Sequence, residues 1–244
     1  MVRVRIDRLL VERGLAPSRE RARAMLLAGS VLVDEKPVTK AGAAVDAGAA
    51  IRLKEADHPF VSRGGVKLEG ALEDLAVDVE GKAVLDVGAS TGGFTDACLR
   101  RKAARVFAVD VGTNQLDYRL RTDPRVFSLE KTNARNLAPG MLPGPADIAV
   151  IDVSFISAAK ILAPVIDCLA PDGAVLLLVK PQFEAGRDKV GKGGVVRDEA
   201  VREEAIDRVI RYAETLNLRF VSRAEARLKG PKGNQETFVY FKKR

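Results

Sequence analysis

The sequence predicts an α/β fold, an open and largely parallel sheet with helices on both faces, preceded by a small α+β domain. From about residue 64 onward, short apolar runs alternate with segments of helix length, which is typical of buried parallel strands and their crossover helices. The first 56 residues differ from the rest in charge, because they hold 11 Lys or Arg against 7 Asp or Glu. A basic docking domain ahead of a larger α/β domain is therefore expected.

Residues 1–56 are predicted to form two short helices on a small sheet. Ile6, Leu9 and Leu10 recur at helical spacing, Ser18 is an N-cap for a second helix, and Gly29 ends that helix. Strand-like segments follow at 31–33, 38 and 51–53. Residues 57–63 are predicted to be a linker, because they overlap the polar, proline-containing stretch EADHPFVS at 55–62. The second domain then occupies 64–244.

The second domain is predicted to contain five buried strands and at least four helices. The strands are expected at 83–87, 105–109, 126–129, 147–153 and 174–179. The helices are expected at 92–102, 113–121, 157–169 and 197–216. A hairpin near the end of the chain is expected to return to the edge of the sheet where the strands have their carboxyl ends. Such an edge is where open α/β sheets bind their ligands.

The composition favours a polyanionic partner. The formal charge is +7 and the isoelectric point is near 9.5, and basic side chains gain affinity for phosphates by releasing counterions. Nucleic acid and an anionic membrane both fit that charge. No run of about 18 apolar residues is present, and the segment MVRVRIDRLL is unlike a signal peptide. We therefore expect a cytoplasmic protein that has no membrane partner.

Cysteine and histidine contribute little to the expected chemistry. Cys98 and Cys168 lie in apolar, helical-looking stretches, and their pattern suits neither a disulfide framework nor a metal site. The single histidine, His58, lies beside Pro59 in the predicted linker. A histidine-based triad and a histidine-rich metal site are therefore excluded, and no metal is expected. Any chemistry must use carboxylates, lysines or a cofactor.

A glycine-rich turn after the first strand indicates a cofactor. The turn, DVGASTGGF at 86–94, leads into a helix, and the next strand ends at Asp110, whose carboxylate can accept hydrogen bonds from a ribose. A dinucleotide would need G-x-G-x-x-G spacing, which Gly88, Gly92 and Gly93 do not give. The turn resembles the class I methyltransferase motif, which implies a Rossmann-like sheet and S-adenosyl-L-methionine. The predicted cofactor residues are Asp86, Gly88, Ala89, Ser90, Thr91, Gly92, Gly93, Phe94, Asp110, Val111, Thr132, Asn133 and Asp152.

Four residues are predicted to form the catalytic set. Asp152 follows the fourth strand and Lys180 the fifth, while Lys67 lies on the helix that opens the domain and Glu236 at the last hairpin. Methylation of a pyrimidine carbon needs a cysteine at this edge, and methylation of a base amine usually shows Asp or Asn before Pro-Pro-aromatic; the segment here reads DVSF. Both of these routes are therefore disfavoured. A set of two lysines, an aspartate and a glutamate is what a ribose 2′-hydroxyl needs, because an alcohol must lose a proton during methyl transfer.

The expected roles follow from the chemistry of an amine acting as a base. An ammonium group can act as a base only when burial or a neighbouring positive charge favours its neutral form. We expect Lys180 to be the base, with Lys67 beside it holding the ribose or phosphate. Asp152 and Glu236 would orient the two lysines. Which lysine is deprotonated stays open at this point.

The first domain resembles the α-L RNA-binding domain of a primary-binding protein of the small ribosomal subunit, of pseudouridine synthases and of bacterial tyrosyl-tRNA synthetases. The matching segment is RIDRLLVERGLAPSRERARAMLLAGSVLVDEKPV. The resemblance implies phosphate contacts from the second helix and the following turn; the alternative for each residue is an ordinary solvated charge. The predicted RNA-binding residues are Arg5, Arg19, Arg21, Arg23, Lys36, Arg63, Lys189 and Lys192.

Two further features suit RNA handling. Lys189 and Lys192 lie in a basic, glycine-rich stretch at 187–194 that is a candidate lid over a target nucleotide. Phe155 and Phe183 are candidates for stacking on a flipped base. For Phe155 we expect core packing instead.

The catalytic domain resembles the FtsJ-type ribose methyltransferases, and the whole chain is similar to the TlyA family. The segments that carry the resemblance are VSRGGVKLEGAL, VLDVGASTGGFTD, IDVSFIS, LVKPQFEAGRDKVGKGGVVRD and KGPKGNQETFVYF. It implies 2′-O-methylation of cytidine in ribosomal RNA of the small or large subunit, with ribosomal RNA or subunits as partners, and some members are named hemolysin. Alternatives are a non-catalytic assembly factor, a membrane-active protein and a nicotinamide dehydrogenase. The oligomeric state is open.

Overall fold

A computed structural model describes residues 2–27, 29–53, 58–230 and 232–244. The chain divides into two compact units, residues 1–59 and 60–244. Of the predicted linker, residue 57 lies outside the described residues. Phe60, at the start of the second unit, is buried in that unit's core, and a helix already begins at Arg63. The exact domain boundaries stay a prediction.

The first unit contains two helices and two small antiparallel sheets. Its elements are β1 Arg3–Arg5, α1 Ile6–Glu12, α2 Arg19–Leu27, β2 Val31–Val33, β3 Lys36–Pro37, β4 Ala44–Asp46 and β5 Ile51–Leu53. One sheet has the order β3-β2-β5, and β1 pairs with β4 in the other. The Ser18 hydroxyl accepts a hydrogen bond from the Arg21 amide at 3.1 Å, so the predicted N-cap is confirmed. Gly29 ends the helix with a φ of +69°.

The second unit is a seven-stranded sheet with helices on both faces. Its elements are α3 Arg63–Asp74, β6 Ala83–Val87, α4 Gly93–Arg100, β7 Arg105–Val109, α5 Tyr118–Arg121, β8 Val126–Leu129, β9 Ala146–Ile151, α6 Leu162–Asp167, β10 Leu169–Val179, α7 Pro181–Glu184, α8 Glu199–Thr215, β11 Leu218–Glu225 and β12 Thr237–Lys243. Short 3₁₀ turns occupy Ala134–Asn136, Pro139–Met141, Ala158–Lys160 and Arg187–Lys189. The predicted α/β fold is confirmed.

The strand order β11-β12-β10-β9-β6-β7-β8 determines where a ligand can bind. From β6 the chain runs outward through β7 and β8, and it then crosses back to β9 and β10, all in parallel pairings. The order therefore reverses between β6 and β9, and a crevice forms at the carboxyl ends of those strands. β12 runs antiparallel between β10 and β11, so its first residues lie at this same edge.

The core lies on both faces of the sheet. Alternate residues of β6 and β7 point to opposite faces, as the two-residue period of a strand requires. Leu85 and Phe107 belong to one hydrophobic cluster, whereas Val84 and Val106 belong to the other. All four side chains are fully buried, which explains why these strands read as continuous apolar runs in the sequence.

Two of the predicted helices are shorter than expected. The helix predicted at 113–121 is reduced to α5, because Asn114 adopts a left-handed φ of +54° and Asp117 caps the helix by accepting the Arg119 amide hydrogen bond at 2.9 Å. The segment 157–169 contains a 3₁₀ turn and then α6. The cap at Asp117 is a local polar contact that an apolar period does not reveal. At Ile161, between the 3₁₀ turn and α6, no side chain caps the helix. Within the part of the chain that the structure describes, no helix has the length and apolarity needed to cross a membrane.

Candidate active site

The glycine-rich turn after β6 brings the backbone of two strands together. Gly88 has a φ of +87°, and its amide donates to the carbonyl of Val109 at 2.9 Å. A Cβ atom at this position would lie 2.5 Å from the backbone oxygen of Asp152. Glycine is therefore required here both for the left-handed conformation and for the close approach of the loop after β9.

Asp110, directly after β7, is held in a fixed orientation beside this turn. One carboxylate oxygen accepts the Ser90 amide at 2.8 Å, and the other accepts the Gly112 amide at 2.7 Å. Asp110 lines a cleft at the carboxyl edge of the sheet. The other lining residues are Ala89, Ser90, Ala108, Gly112, Gln115, Leu116, Ser128, Leu129 and Glu130. A carboxylate held at this edge of the sheet can accept hydrogen bonds from the hydroxyls of a ribose.

Asp86 is a fully buried carboxyl group at the end of β6. Burial raises its pKa to about 7, and the nearby charges of Asp152 and Asp110 act in the same direction. The Thr95 hydroxyl donates to one oxygen at 2.6 Å, and the other oxygen has no partner among the described residues. An unpaired buried acceptor at the glycine turn fits a cationic ligand such as the methionine moiety of S-adenosylmethionine.

The other predicted cofactor residues lie in different surroundings. Thr132 lies next to Asp110, because its amide donates to the Asp110 carbonyl at 2.9 Å. The Asn133 side chain caps a 3₁₀ turn by accepting the Arg135 amide at 3.1 Å, and Val111 is exposed. Phe94 is buried in the core, with its ring centroid 6.0 Å from that of Phe238. The cofactor roles of these residues stay predictions.

The remaining turn residues, Thr91, Gly92 and Gly93, form the entry into α4. Gly92 has a φ of +94° and precedes the first residue of the helix, Gly93. The Thr91 carbonyl accepts the amide of Asp117 at 3.2 Å. The three residues thus form the tight strand-to-helix turn that the sequence predicted.

Lys180 and Asp152, at the ends of β10 and β9, form an ion pair. The Lys180 Nζ lies 2.5 Å from the Asp152 Oδ1 and donates to the Ser154 Oγ at 2.9 Å. The Asp152 amide donates to the Val87 carbonyl at 3.0 Å, which joins this pair to the glycine turn. The predicted meeting of these two residues at one sheet edge is confirmed.

Lys67 and Glu236 form a second ion pair of 2.5 Å, and it is almost completely buried, with side-chain exposures of 9% and 1%. Glu236 directly precedes β12, whose Thr237 pairs with Val179 of β10, so the second pair lies at the same edge as Lys180. The structure therefore gives each predicted catalytic lysine its own carboxylate. The catalytic roles of the four residues stay predictions.

Several residues at this edge were missed by sequence reasoning. Ser154 contacts Lys180, and the Gln182 amide nitrogen lies 3.4 Å from the Glu236 Oε1. Burial raises the pKa of Glu184, which accepts hydrogen bonds from the Ser157 hydroxyl and the Ala158 amide at 2.7 and 2.8 Å. Glu184 thus fastens the loop after β9 to α7. Their adjacency in sequence to Asp152 and Lys180 was the available signal.

Phe155 corrects one expectation. It does not pack in the core; its side chain is 91% exposed, and its φ of +65° is unusual for an aromatic residue. Its ring lies 5.3 Å from that of Phe183, at an angle of 49°. The left-handed backbone at Phe155 turns this side chain out of the loop that carries Asp152 and Ser154.

The predicted RNA-binding residues of the first unit are not equivalent. Arg5, Arg19 and Arg23 surround the carboxylate of Asp7, which sequence reasoning missed. Arg21 instead donates to the His58 carbonyl at 2.7 Å. Lys36 is exposed on β3.

In the second unit, Lys189 and Lys192 are exposed, whereas Arg63 is half-buried at the start of α3. The Arg63 guanidinium lies 3.3 Å from the Lys229 carbonyl, and Lys189 pairs with Glu204 at 2.6 Å. Lys192 is exposed and lines an open depression together with Lys189 and Arg197. RNA contact by any of these residues stays a prediction.

Metal ligands and reactive thiols do not stand out at this edge. Among the described residues, no group of three or more His, Cys, Asp or Glu side chains is arranged to hold a metal ion. Cys98 and Cys168 are both free and buried. Burial raises the pKa of the Cys98 thiol, so this thiol is a poor nucleophile.

Comparison with known proteins connects this site to known chemistry. Residues 60–243 match the FtsJ-like methyltransferase family, and residues 4–51 match the S4 domain. The chain is 46% identical over 241 residues to the "16S/23S rRNA (cytidine-2'-O)-methyltransferase TlyA" of Mycobacterium tuberculosis, covering 98% of this chain and 90% of that protein. It is 39% identical to "Hemolysin A" of Brachyspira hyodysenteriae, covering 98% and 99% of the two chains.

A solved structure supports the same relationship. A protein described as a hemolysin from Streptococcus thermophilus superposes with a TM-score of 0.79 at 40% sequence identity. The similarity covers 100% of this chain and 89% of that one.

Proposed function

We propose, since this chain belongs to the TlyA group of FtsJ-like methyltransferases and carries an S4 domain, that it transfers a methyl group from S-adenosylmethionine to a ribose 2′-hydroxyl of ribosomal RNA. The relative from Mycobacterium tuberculosis is named as acting on cytidine in both 16S and 23S RNA. Cytidine in one or both subunits is therefore the proposed target. The cytoplasm, where ribosomes are made in bacteria, is the expected location.

One observation carries the proposal. Two lysine–carboxylate pairs, Lys180–Asp152 and Lys67–Glu236, lie at the carboxyl edge of the sheet, which also holds the glycine turn and Asp110. A cofactor site and a set of proton-handling side chains are thus built on neighbouring strands. An acceptor that must lose a proton during methyl transfer needs both.

The cofactor contacts are assigned to the turn after β6 and the end of β7. Asp110 would hold the ribose hydroxyls, and the backbone of Ala89 and Ser90 would lie against the ligand, with Asp86 toward its cationic end. When bound, S-adenosylmethionine supplies an electrophilic methyl group on a sulfonium. The protein contributes orientation, because an in-line displacement is fast only when the reacting atoms are held in place.

Lys180 is assigned as the base that accepts the proton of the ribose 2′-hydroxyl. Its Nζ is held by Asp152 and Ser154, so it has a fixed position beside the loop that follows β9. In its neutral form this nitrogen would accept the proton of the ribose 2′-hydroxyl as the oxygen bonds to the methyl group. Lys67, fixed by Glu236, would hold the ribose or its phosphate.

The test is tritiated methyl transfer from S-adenosylmethionine to unmodified ribosomal subunits, followed by digestion of the RNA to nucleosides. We expect labelled 2′-O-methylcytidine with the wild type and a loss of at least about 100-fold with Lys180→Ala. Lys102→Ala is the matched control, because Lys102 is exposed and pairs with Glu80 before β7, at the opposite edge of the sheet.

Each other outcome points to a different function. Label on a base would contradict the assigned acceptor atom. No label on either subunit, together with tight RNA binding, would favour a ribosome-assembly factor. Lysis of erythrocytes by the purified protein without any methyl transfer would favour a membrane-active protein. The relative from Brachyspira hyodysenteriae is named "Hemolysin A".

A further inference from the structure

Asp7 is fully buried, and its carboxylate is in contact with three arginines of the first unit. The Arg5 guanidinium donates to both Asp7 oxygens, at 3.0 and 2.9 Å, and Arg19 donates to Oδ2 at 3.0 Å. The Arg23 Nε lies 3.8 Å from the same oxygen. One buried negative charge therefore gathers three positive charges from β1 and from α2.

The three guanidinium groups keep an outward face. Their side chains are 47%, 46% and 52% exposed, although each is in contact with a fully buried carboxylate. A guanidinium has five donors, and the contacts with Asp7 use only some of them. The hydrogen bonds from Arg5 and Arg19 hold the pKa of Asp7 well below its usual range, so the carboxylate stays ionised at neutral pH.

Fixing the arginine side chains lowers the entropy that they lose when they bind a phosphate. A free arginine loses rotamer entropy when it binds a phosphate, whereas an arginine already fixed by Asp7 has lost most of it on folding. Hydrogen bonds to Asp7 hold Arg5 and Arg19, and Arg23 lies beside them. Each guanidinium can offer paired donors to a phosphate, which is the geometry that strong arginine–phosphate contacts need. Arg21 points elsewhere, toward His58, and is not part of this group.

We propose that Asp7, Arg5, Arg19 and Arg23 form one preorganised phosphate-binding surface for the backbone of folded ribosomal RNA, and that Asp7 is its positioning residue. This proposal rests on the proposed RNA substrate, but not on methyl transfer. It also separates the arginines of α2, because Arg19 and Arg23 belong to the surface and Arg21 does not.

The RNA affinity of an Asp7→Asn variant distinguishes positioning of the arginines from a general attraction to phosphate. Asp7→Asn makes the protein more positive, so a general attraction to phosphate predicts tighter RNA binding. If Asp7 positions the arginines, the same change weakens binding, by about tenfold. The measurement is binding of the full-length protein to a radiolabelled transcript of small-subunit ribosomal RNA, and to one of large-subunit RNA, over a series of salt concentrations.

An exposed ion pair of the same domain provides the matched controls. Glu35 and Arg52 form a pair at 2.6 Å with side-chain exposures of 70% and 57%. Glu35→Gln adds the same charge as Asp7→Asn, and we expect its RNA affinity to equal or slightly exceed that of the wild type. Equal or tighter binding by a folded Asp7→Asn variant would overturn the proposal.

A second variant decides the question if Asp7→Asn does not fold. Arg19→Lys with Arg23→Lys keeps the charge, and both residues are half-exposed, but lysine cannot reproduce the paired donors. We expect RNA affinity to fall about fivefold, while Arg52→Lys leaves it unchanged. Wild-type affinity in the double variant would contradict the proposal. RNA binding is measured without cofactor. If the variants bind RNA as expected but the protein shows no methyl transfer, that result contradicts the proposed enzyme activity and leaves the phosphate-binding surface supported.

Discussion

Lys67 and Glu236 are 169 positions apart in the chain and meet in a buried ion pair at the carboxyl edge of the sheet. Burying two charges is costly unless each compensates the other. The pair therefore links the first helix of the catalytic unit to its last strand.

Removing one member of this pair is expected to destabilise the protein. Glu236→Gln leaves the Lys67 charge buried without a countercharge, which costs about 3–5 kcal/mol of unfolding free energy. Urea unfolding measures this loss. The double variant Lys67→Met, Glu236→Leu should recover most of the stability yet show no methyl transfer. A Glu236→Gln protein as stable as the wild type would show that the pair carries no such energy.

The pKa of Asp86 predicts a pH dependence of stability. Burial raises the folded-state pKa to about 7, above an unfolded value of about 4. The folded protein thus holds this proton more tightly, so the contribution is fully present below about pH 4 and is lost as pH rises through about 7. The loss is on the order of 3–4 kcal/mol.

The measurement compares the wild type with Asp86→Asn. The difference in unfolding free energy between the two proteins, from urea titrations, should shift in favour of the variant between about pH 5 and about pH 8. A difference that is the same at both values would place the pKa of Asp86 outside this range.

Phe155 should matter for RNA and not for stability. Because its side chain is 91% exposed, Phe155→Ala should change the unfolding free energy by no more than about 0.5 kcal/mol. Stacking on one base is worth about 1–3 kcal/mol, so KM for RNA should rise about tenfold. Phe155→Tyr keeps a ring for stacking and should retain wild-type kinetics. An unchanged KM in the alanine variant would exclude a stacking role.

Gly88→Ala should disrupt the cofactor site. Its Cβ would lie 2.5 Å from the Asp152 backbone oxygen at a φ of +87°, so the loop after β9 must move. We expect a stability loss of at least about 2 kcal/mol and no detectable binding of S-adenosylhomocysteine by calorimetry. Gly140→Ala is the control, since a Cβ there has no atom within 4 Å. Normal binding by Gly88→Ala would refute the assignment of this turn.

The sequence contained much of the sheet and its edge. Buried parallel strands are continuous apolar runs, so their ends, and hence Asp110, Asp152 and Lys180, could be located from hydrophobicity alone. The same signal did not reveal that Phe155 points outward, since exposure there depends on one left-handed residue. Periodicity is an average over many residues, and a single backbone angle is not part of it.

Contacts between distant residues were also beyond the sequence. The arginines of α2 alternate along the chain, but Arg19 and Arg21 have different partners because Asp7 and His58 lie on different sides of the helix. Likewise, nothing near Lys67 identifies its carboxylate, which comes from the turn before β12. Such pairs are fixed by the topology of the completed fold.

The position of β12 has a consequence for synthesis of the protein. The strand inserts between β10 and β11, so Glu236 emerges from the ribosome after the other three predicted catalytic residues. A nascent chain that has reached Val179 contains the cofactor turn but holds Lys67 without its countercharge. Closing so long a loop is slow relative to forming local contacts. We therefore expect methyl transfer to require the docked final strand, so that a chain truncated before Glu236 would not modify RNA.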